Sequence, residues 1–239
     1  MQASIQPFFT WSKDHIFAGG AQNIVLLIEW RGVSTPEAGR KRNHKVAARN
    51  IELRIWLESH VFLTGLHGCQ AKPGDERSFL LQLGKIHSGQ RKYIALEFTL
   101  KAAPSGTHDA VWLQWLYKQP PGERIRELPV QKLSLEYSHH TGVLQESCCF
   151  HVEKHLELLK MEATFEEAAL LSSQGQQNKA RDLMTRQADK LLLLAARSGD
   201  MLLLREAENM YRKSALESMP IHKLTEEQDM ILAACDVHK

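Results

Sequence analysis

The chain has few of the features by which an activity is usually recognised. It holds four cysteines, Cys69, Cys148, Cys149 and Cys235, with no framework spacing, and the adjacent pair is poorly placed to bridge itself. That excludes a disulfide scaffold and predicts reduced thiols in a cytoplasmic setting. Aliphatic runs such as Leu191 to Leu194 stop far short of the roughly 20 apolar residues that span a bilayer. The opening "MQASIQPFFTWSKD" lacks a basic region followed by an apolar run, so neither a membrane span nor an export signal is expected. No charge of one sign dominates: 30 Lys and Arg face 28 Asp and Glu, and a formal net charge of +2 argues against a protein whose main task is gripping a nucleic-acid backbone. Catalytic signatures are missing too. There is no G-x-S-x-G elbow, no G-x-x-x-x-G-K loop, no HExxH and no EF-hand loop, and "AGGAQ" at 18–22 reads as a strand connector. The expectation is a non-enzymatic protein that needs no cofactor.

What is present is a folded chain in two parts. A hydrophobic share of 43% with 24% charged residues is ordinary for a globular protein. Up to about Tyr137 the apolar residues recur with period two, the sign of strands with one buried face. In "IELRIWLE", Ile51, Leu53, Ile55 and Leu57 alternate with Glu52, Arg54 and Glu58, and 23–30, 78–83, 92–101 and 111–118 read alike. Between these segments stand "AKPGDE", "HSGQ", "APSGTHD" and "QPPGE", rich in turn formers. In "LPVQKLSLEYS", Leu133, Leu135 and Tyr137 are in step while Leu128 and Val130 are not, which predicts a bulge between Val130 and Leu133. Trp112 and Trp115 fall on opposite faces of one strand, so at most one is core and the other is expected under a cover, the helices more commonly than a partner.

After Phe150 the composition turns to Leu, Ala, Glu, Gln, Lys and Arg, the residues that lose least on entering a helix. Helices are predicted over 152–174, 177–197 and 200–218, stopped by Gly175, Gly199 and Pro220, with a further short helix capped at Thr225 by "TEEQ". Ala180, Leu183, Met184, Ala188, Leu191, Leu192 and Ala195 form the stripe of a helix with one buried face, and short loops make neighbouring helices antiparallel. The fold class expected is α+β as a whole: an N-terminal antiparallel, Ig-like β-sandwich over 1–150, then a C-terminal α-helical hairpin or bundle over 151–239.

Two stretches carry candidate chemistry. "SHHTGVLQESCCFHVEKH" gathers His139, His140, Cys148, Cys149, His151 and His155, residue types that hold zinc, with His151 and His155 at helical spacing. Adjacent cysteines point to opposite faces of an extended chain and no C-x2-C pair is present, so the expected reading is a strand-to-helix connector. A metal-binding protein or metal-dependent enzyme centred on these six residues is the alternative. "GRKRNHKVAAR" places Arg40, Lys41, Arg42, Lys45 and Arg49 in a loop between two strands. These are the candidate contacts to a protein partner, against the plainer reading of a solvated loop. No aromatic residue interleaves with the charges, so no single-strand nucleic-acid platform is expected.

"AGGAQNIVLLIEWRG", "NIELRIWLESHVFLTGLHG" and "LQLGKIHSGQRKYIALEFTL", in that order, resemble the β-sandwich that flanks the von Willebrand factor type A domain in bacterial proteins related to the calcium-activated chloride channel-like proteins. In that family a strand like 23–30 leads into the A domain, and the sandwich resumes with an LG-x-L-x-x-G-x-x-R turn. Leu83, Gly84, Ile86, Gly89 and Arg91 or Lys92 stand in those positions, and the helices from Val152 resemble the family's tail. The A domain itself is missing: its D-x-S-x-S signature occurs nowhere, and only the basic loop from Gly32 to Arg49 fills its slot. The resemblance therefore implies a scaffold without metal-dependent ligand binding, whose work is association with a protein partner, either an A-domain protein or a second copy of the chain.

Overall fold

The computed structural model describes residues 4–33, 46–74, 77–145 and 148–216. They fall into two compact units that part between Leu159 and Lys160.

The first unit is built from two sheets that share one core. One sheet runs in the order β1 (Ile5–Trp11), β3 (Gln22–Gly32), β8 (Arg91–Leu100), β5 (Val61–His67). The other runs β2 (His15–Phe17), β11 (Gln131–Ser138), β9 (Gly106–Lys118), β4 (Val46–Leu57), β7 (Ser78–His87), β6 (Ala71–Pro73), with β10 (Ile125–Glu127) paired to the far end of β9. The period-two pattern does what it predicts. Ile24, Leu26, Ile28 and Trp30 of β3, Ile94, Leu96 and Phe98 of β8, Leu53 and Ile55 of β4, and Leu113 and Trp115 of β9 all point into the common core.

The unbroken apolar run in β3 has a separate cause. Leu27 lies on the outer face, directly opposite Ala95 of β8, and both are covered by Val152 and Leu156 at the start of α1 (Phe150–Ser173). These strands are buried on both faces in their middle, so their sequence loses its alternation there. β1 closes one edge of its sheet and carries Pro7, which is tolerated at an edge and blunts it against further pairing.

Three expectations are corrected. The sheets are not wholly antiparallel, because β2 joins β11 in parallel register. The irregularity expected between Val130 and Leu133 lies instead on β9, where Ala110 is passed over between Leu133↔Val111 and Ser134↔Asp109, and β11 begins at Gln131. Leu128 and Val130 simply fall outside the strand. Trp112, expected under the helices, is 36% exposed. Its Nε1 donates to Glu58 Oε1 at 2.9 Å and the Lys132 ammonium sits 4.7 Å over its ring, so a cation and a carboxylate stand where an apolar cover was expected.

The second unit contains the rest of α1, α2 (Gln177–Ser198) and α3 (Met201–Leu216). Gly175 and Gly199 adopt φ of +76° and +71°, the left-handed geometry that ends a helix, and Gly199 N–H closes on Ala195 C=O at 2.7 Å. Asp200 Oδ1 accepts from the backbone N–H of Leu202 at 2.9 Å and so caps α3. α2 buries Ala180, Met184, Ala188, Leu191 and Ala195, the predicted stripe, while Leu192 stays exposed. α3 buries Leu203, Ala207 and Met210, and Tyr211 donates to Asp189 across the α2–α3 pair. The caps predicted at Pro220 and Thr225 lie outside the described residues. No helix among the described residues is long and apolar enough to cross a membrane.

Candidate functional site

The strands converge on the basic segment in a defined way. β3 ends at Gly32 in one sheet and β4 begins at Val46 in the other, so the intervening residues join the two sheets at one end of the unit. Both ends of that segment are tied to the β7–β8 turn. Gly32 N–H donates to Gln90 C=O at 3.0 Å, Gly89 N–H donates to Gly32 C=O at 2.8 Å, and Val46 pairs with His87. Val33 N–H adds a bond to Ser4 C=O at 2.9 Å. The fit is too close for a side chain: a Cβ at position 32 would stand 2.2 Å from the His87 carbonyl oxygen.

Of the sequence candidates here, Arg40, Lys41, Arg42 and Lys45 lie outside the described residues. Arg49 does not lie in a loop, as the sequence suggested, but within β4. One extra residue on β4 between Arg49 and Glu52 breaks the register with β9, and Asn50 takes φ of +49°, a conformation asparagine tolerates better than most. The bulge leaves Arg49 opposite Lys118, and both cations reach Glu123, Lys118 at 3.4 Å and Arg49 in a close ion pair. The hydrogen bond from Lys118 and the Arg49 guanidinium hold the Glu123 carboxyl below the usual carboxylate range. Sequence reading could not find Glu123, which is 74 positions from Arg49 and in no motif with it.

The histidine and cysteine stretch is pulled apart. His140 Nδ1 accepts from Gly142 N–H at 3.1 Å in the turn after β11, and Cys148 is exposed. Cys149 packs among Leu27, Ala95 and Val152, and its N–H donates to Ser12 C=O at 2.7 Å. His151 and His155 do share a helix face, with ring centroids 4.6 Å apart, but His155 stacks on Tyr93 at 3.9 Å and His151 lies 3.9 Å from the Glu29 carboxylate. Among the described residues no group of three or more His, Cys, Asp or Glu side chains is placed to hold a metal ion. Burial pushes the Cys69 thiol up to about 11, so it stays protonated and unreactive at neutral pH.

At the opposite end of β4 and β9 the sequence reading missed a second cluster. His60 packs edge-on to Tyr137 at 5.9 Å and His108 packs edge-on to Tyr137 at 5.4 Å, with His60 Nε2 and the Tyr137 hydroxyl closed off from solvent without an acceptor or donor among the described residues. Burial lowers the His60 pKa, the neighbouring His108 lowers it further, and Glu58 opposes them; burial pushes the Tyr137 phenol up to about 12. A histidine that titrates below its unfolded value of 6.5 binds fewer protons folded than unfolded. Its contribution to stability is therefore intact above 6.5 and is lost as the pH falls toward the folded value. His60→Phe should flatten the fall in Tm between pH 7.5 and 5.5 relative to the parent chain, as read by thermal melts; an unchanged slope would sink this assignment.

No family model matches the chain, and no curated protein matches it in sequence. Among solved structures it is similar to the ArnB paralog VWA2 from Sulfolobus acidocaldarius, with 8% identity over 91% of this chain and 100% of that one and a TM-score of 0.54. It is also similar to a von Willebrand factor type A protein from Catenulispora acidiphila, with 16% identity, a TM-score of 0.46, and coverage of 64% of this chain. The chain spans 37% of the length of that protein. The fold is thus similar to that of the VWA2 structure.

Proposed function

We propose that the chain is a non-catalytic protein-association module, a scaffold of the kind that flanks an A domain with the A domain itself absent, which presents the basic segment 39–49 from one end of its two-sheet unit. The observation that carries this reading is the anchoring of that segment: backbone hydrogen bonds fix Gly32 and Val33 on one side, and strand pairing fixes Val46 on the other. A loop rooted on rigid elements can present its charges at lower entropic cost than a free one. The partner is an A-domain protein or a second copy of the chain, and Arg40, Lys41, Arg42 and Lys45 are the contacts. Arg49 helps set the root through Glu123. The free thiols of Cys69, Cys148 and Cys149 support a reducing, cytoplasmic setting.

The test compares the intact chain with a form in which residues 36–44 are replaced by a short Gly-Ser turn. Circular dichroism establishes that both are folded, and sedimentation and capture from native lysate read association. The intact chain is expected to self-associate or to take up a stoichiometric partner that the shortened form loses. Identical behaviour of the two forms would overturn the reading.

A further inference from the structure

The four edges of the two sheets are not protected alike. An edge strand offers a row of unpaired backbone groups to any other strand, and proline, charge or shortness blunts it. β1 carries Pro7, and β2, β6 and the offset β10 are three residues each. The lengths of β11 and β7 that β2 and β6 leave open carry exposed Lys132 and Lys85. β5, the remaining edge, runs "VFLTGLH" over seven residues with no proline, lysine, arginine or carboxylate. A bulge at Thr64, whose hydroxyl donates to Glu97 C=O at 3.1 Å, twists this edge without filling it. Backbone direction alternates along an antiparallel strand. His60 C=O turns toward β8 and accepts from Lys101 N–H at 2.8 Å, whereas Val61 N–H turns away and donates to Glu58 C=O at 3.0 Å. Leu63 follows the direction of Val61, so its N–H and C=O face outward, where no backbone group among the described residues meets them.

The two ends of this edge carry opposite charge. At the start of β5, Lys101 holds its ammonium 4.5 Å over the exposed ring of Phe62. Toward the other end, the Glu97 carboxylate lies 3.0 Å from His67 Nε2. Both groups belong to the outer face of the sheet, where Phe62 pairs with Thr99 and His67 with Ala95. From this open, uncharged strand between a cation and a carboxylate we infer that β5 is the pairing edge of a symmetric dimer, laid antiparallel against β5 of a second copy. A twofold axis brings the Lys101 end of each copy to the Glu97 end of the other, so opposite charges meet twice and no like charges stand opposed. Parallel pairing would set cation beside cation. The assembly closes at two copies, because the joined sheet ends on both sides at β1, where Pro7 blunts the edge. An extended segment of unrelated sequence could gain the backbone bonds but not the reciprocal ion pairs. One seven-residue ladder is small beside the roughly 1,200–2,000 Å² of a stable interface, so the dimer should form reversibly and at high concentration. It uses none of the basic segment 39–49, and so stands or falls apart from the association reading above.

The test is sedimentation equilibrium on the intact chain, on Phe62→Lys, on Lys101→Glu, on Lys101→Glu/Glu97→Lys and on the form with residues 36–44 shortened, with thermal melts to show that each is folded. The intact chain should fit a monomer–dimer equilibrium with no larger species. Phe62→Lys adds a charge to the edge and Lys101→Glu sets carboxylate against carboxylate, so each should weaken the dimer about tenfold or more. Lys101→Glu/Glu97→Lys reverses both charges and should restore it, which separates lost pairing from lost folding. A chain that stays monomeric, assembly beyond two copies, or a dimer indifferent to Phe62 and Lys101 would overturn the inference, as would failure of the double variant to recover. Capture of an extended segment of another protein by a monomeric chain would assign the edge to that occupant instead. The shortened form should dimerise like the parent; if it is monomeric, self-association belongs to the basic segment and β5 is not the interface.

Discussion

Trp115→Ala is expected to be among the most damaging single substitutions in the first unit. Trp115 is fully buried where the two sheets meet, its ring 5.8 Å from that of Trp30 and tilted by 52°. Truncating a buried tryptophan removes its transfer free energy and leaves a cavity, together about 4 kcal/mol, a large part of the roughly 5–15 kcal/mol that holds an ordinary domain folded. The midpoint of urea unfolding, followed by far-ultraviolet circular dichroism, measures the loss. Trp115→Phe should lose much less. The indole N–H of Trp115 has no acceptor among the described residues, so phenylalanine keeps most of the packing and discards an unsatisfied donor. Equal damage from Ala and Phe would mean that the indole N–H has a role that packing does not explain.

Gly32→Ala should do comparable harm with the addition of a single methyl group. The new Cβ would stand 2.2 Å from the carbonyl oxygen of His87, 2.9 Å from its carbonyl carbon and 3.2 Å from the Ala47 Cβ. Two of these contacts are with backbone atoms of His87, and the chain itself fixes where a Cβ stands, so no rotamer change relieves them. Either the β7–β8 turn lifts from the end of β3 or β3 shifts, and an overpacked site of this kind costs on the order of 3 kcal/mol or more. The bonds at risk are Gly32 N–H to Gln90 and Gly89 N–H to Gly32, so their amides should lose protection from hydrogen exchange before the rest of the sheets. Gly89→Ala is the control. Its φ of +79° makes a side chain strained, but nothing lies within 4 Å, so it should cost about 1–2 kcal/mol and leave the turn in place. If Gly32→Ala melts like the parent, the root of the basic segment is softer than its geometry implies.

The two predictions mark different levels of legibility. Trp115 could be suspected as core from alternation within one strand. Nothing in "EWRGVS" distinguishes Gly32 from a turn glycine, because the atoms it must avoid belong to a turn more than fifty positions away. The same holds for the charges. Arg40, Lys41, Arg42 and Lys45 stand out as a run in the sequence. Arg31 and Arg91 lie far apart in it, and they come to face each other only through the β3–β8 register. Arg49 belonged to the run in sequence, and a bulge with Asn50 at positive φ turned it into part of an ion pair with Glu123.

Local chemistry was thus enough for everything that depends on neighbours along the chain. The helices of the second unit follow from residues that favour helix, from glycines that take left-handed geometry at α1 and α2, and from the aspartate that caps α3. The long strands follow from alternation, which survives wherever only one face is buried. Short strands β2, β6 and β10, three residues each, carry too little pattern to be read and exist because a longer neighbour offers them a ladder. Bulges, the parallel β2–β11 pair, the engaged carboxylates Glu29 and Glu123 and the opposed Arg31 and Arg91 depend on pairing between distant segments. Periodicity along one strand carries no information about which partner it meets or in which register, and that choice is made only when both sheets close on a common core.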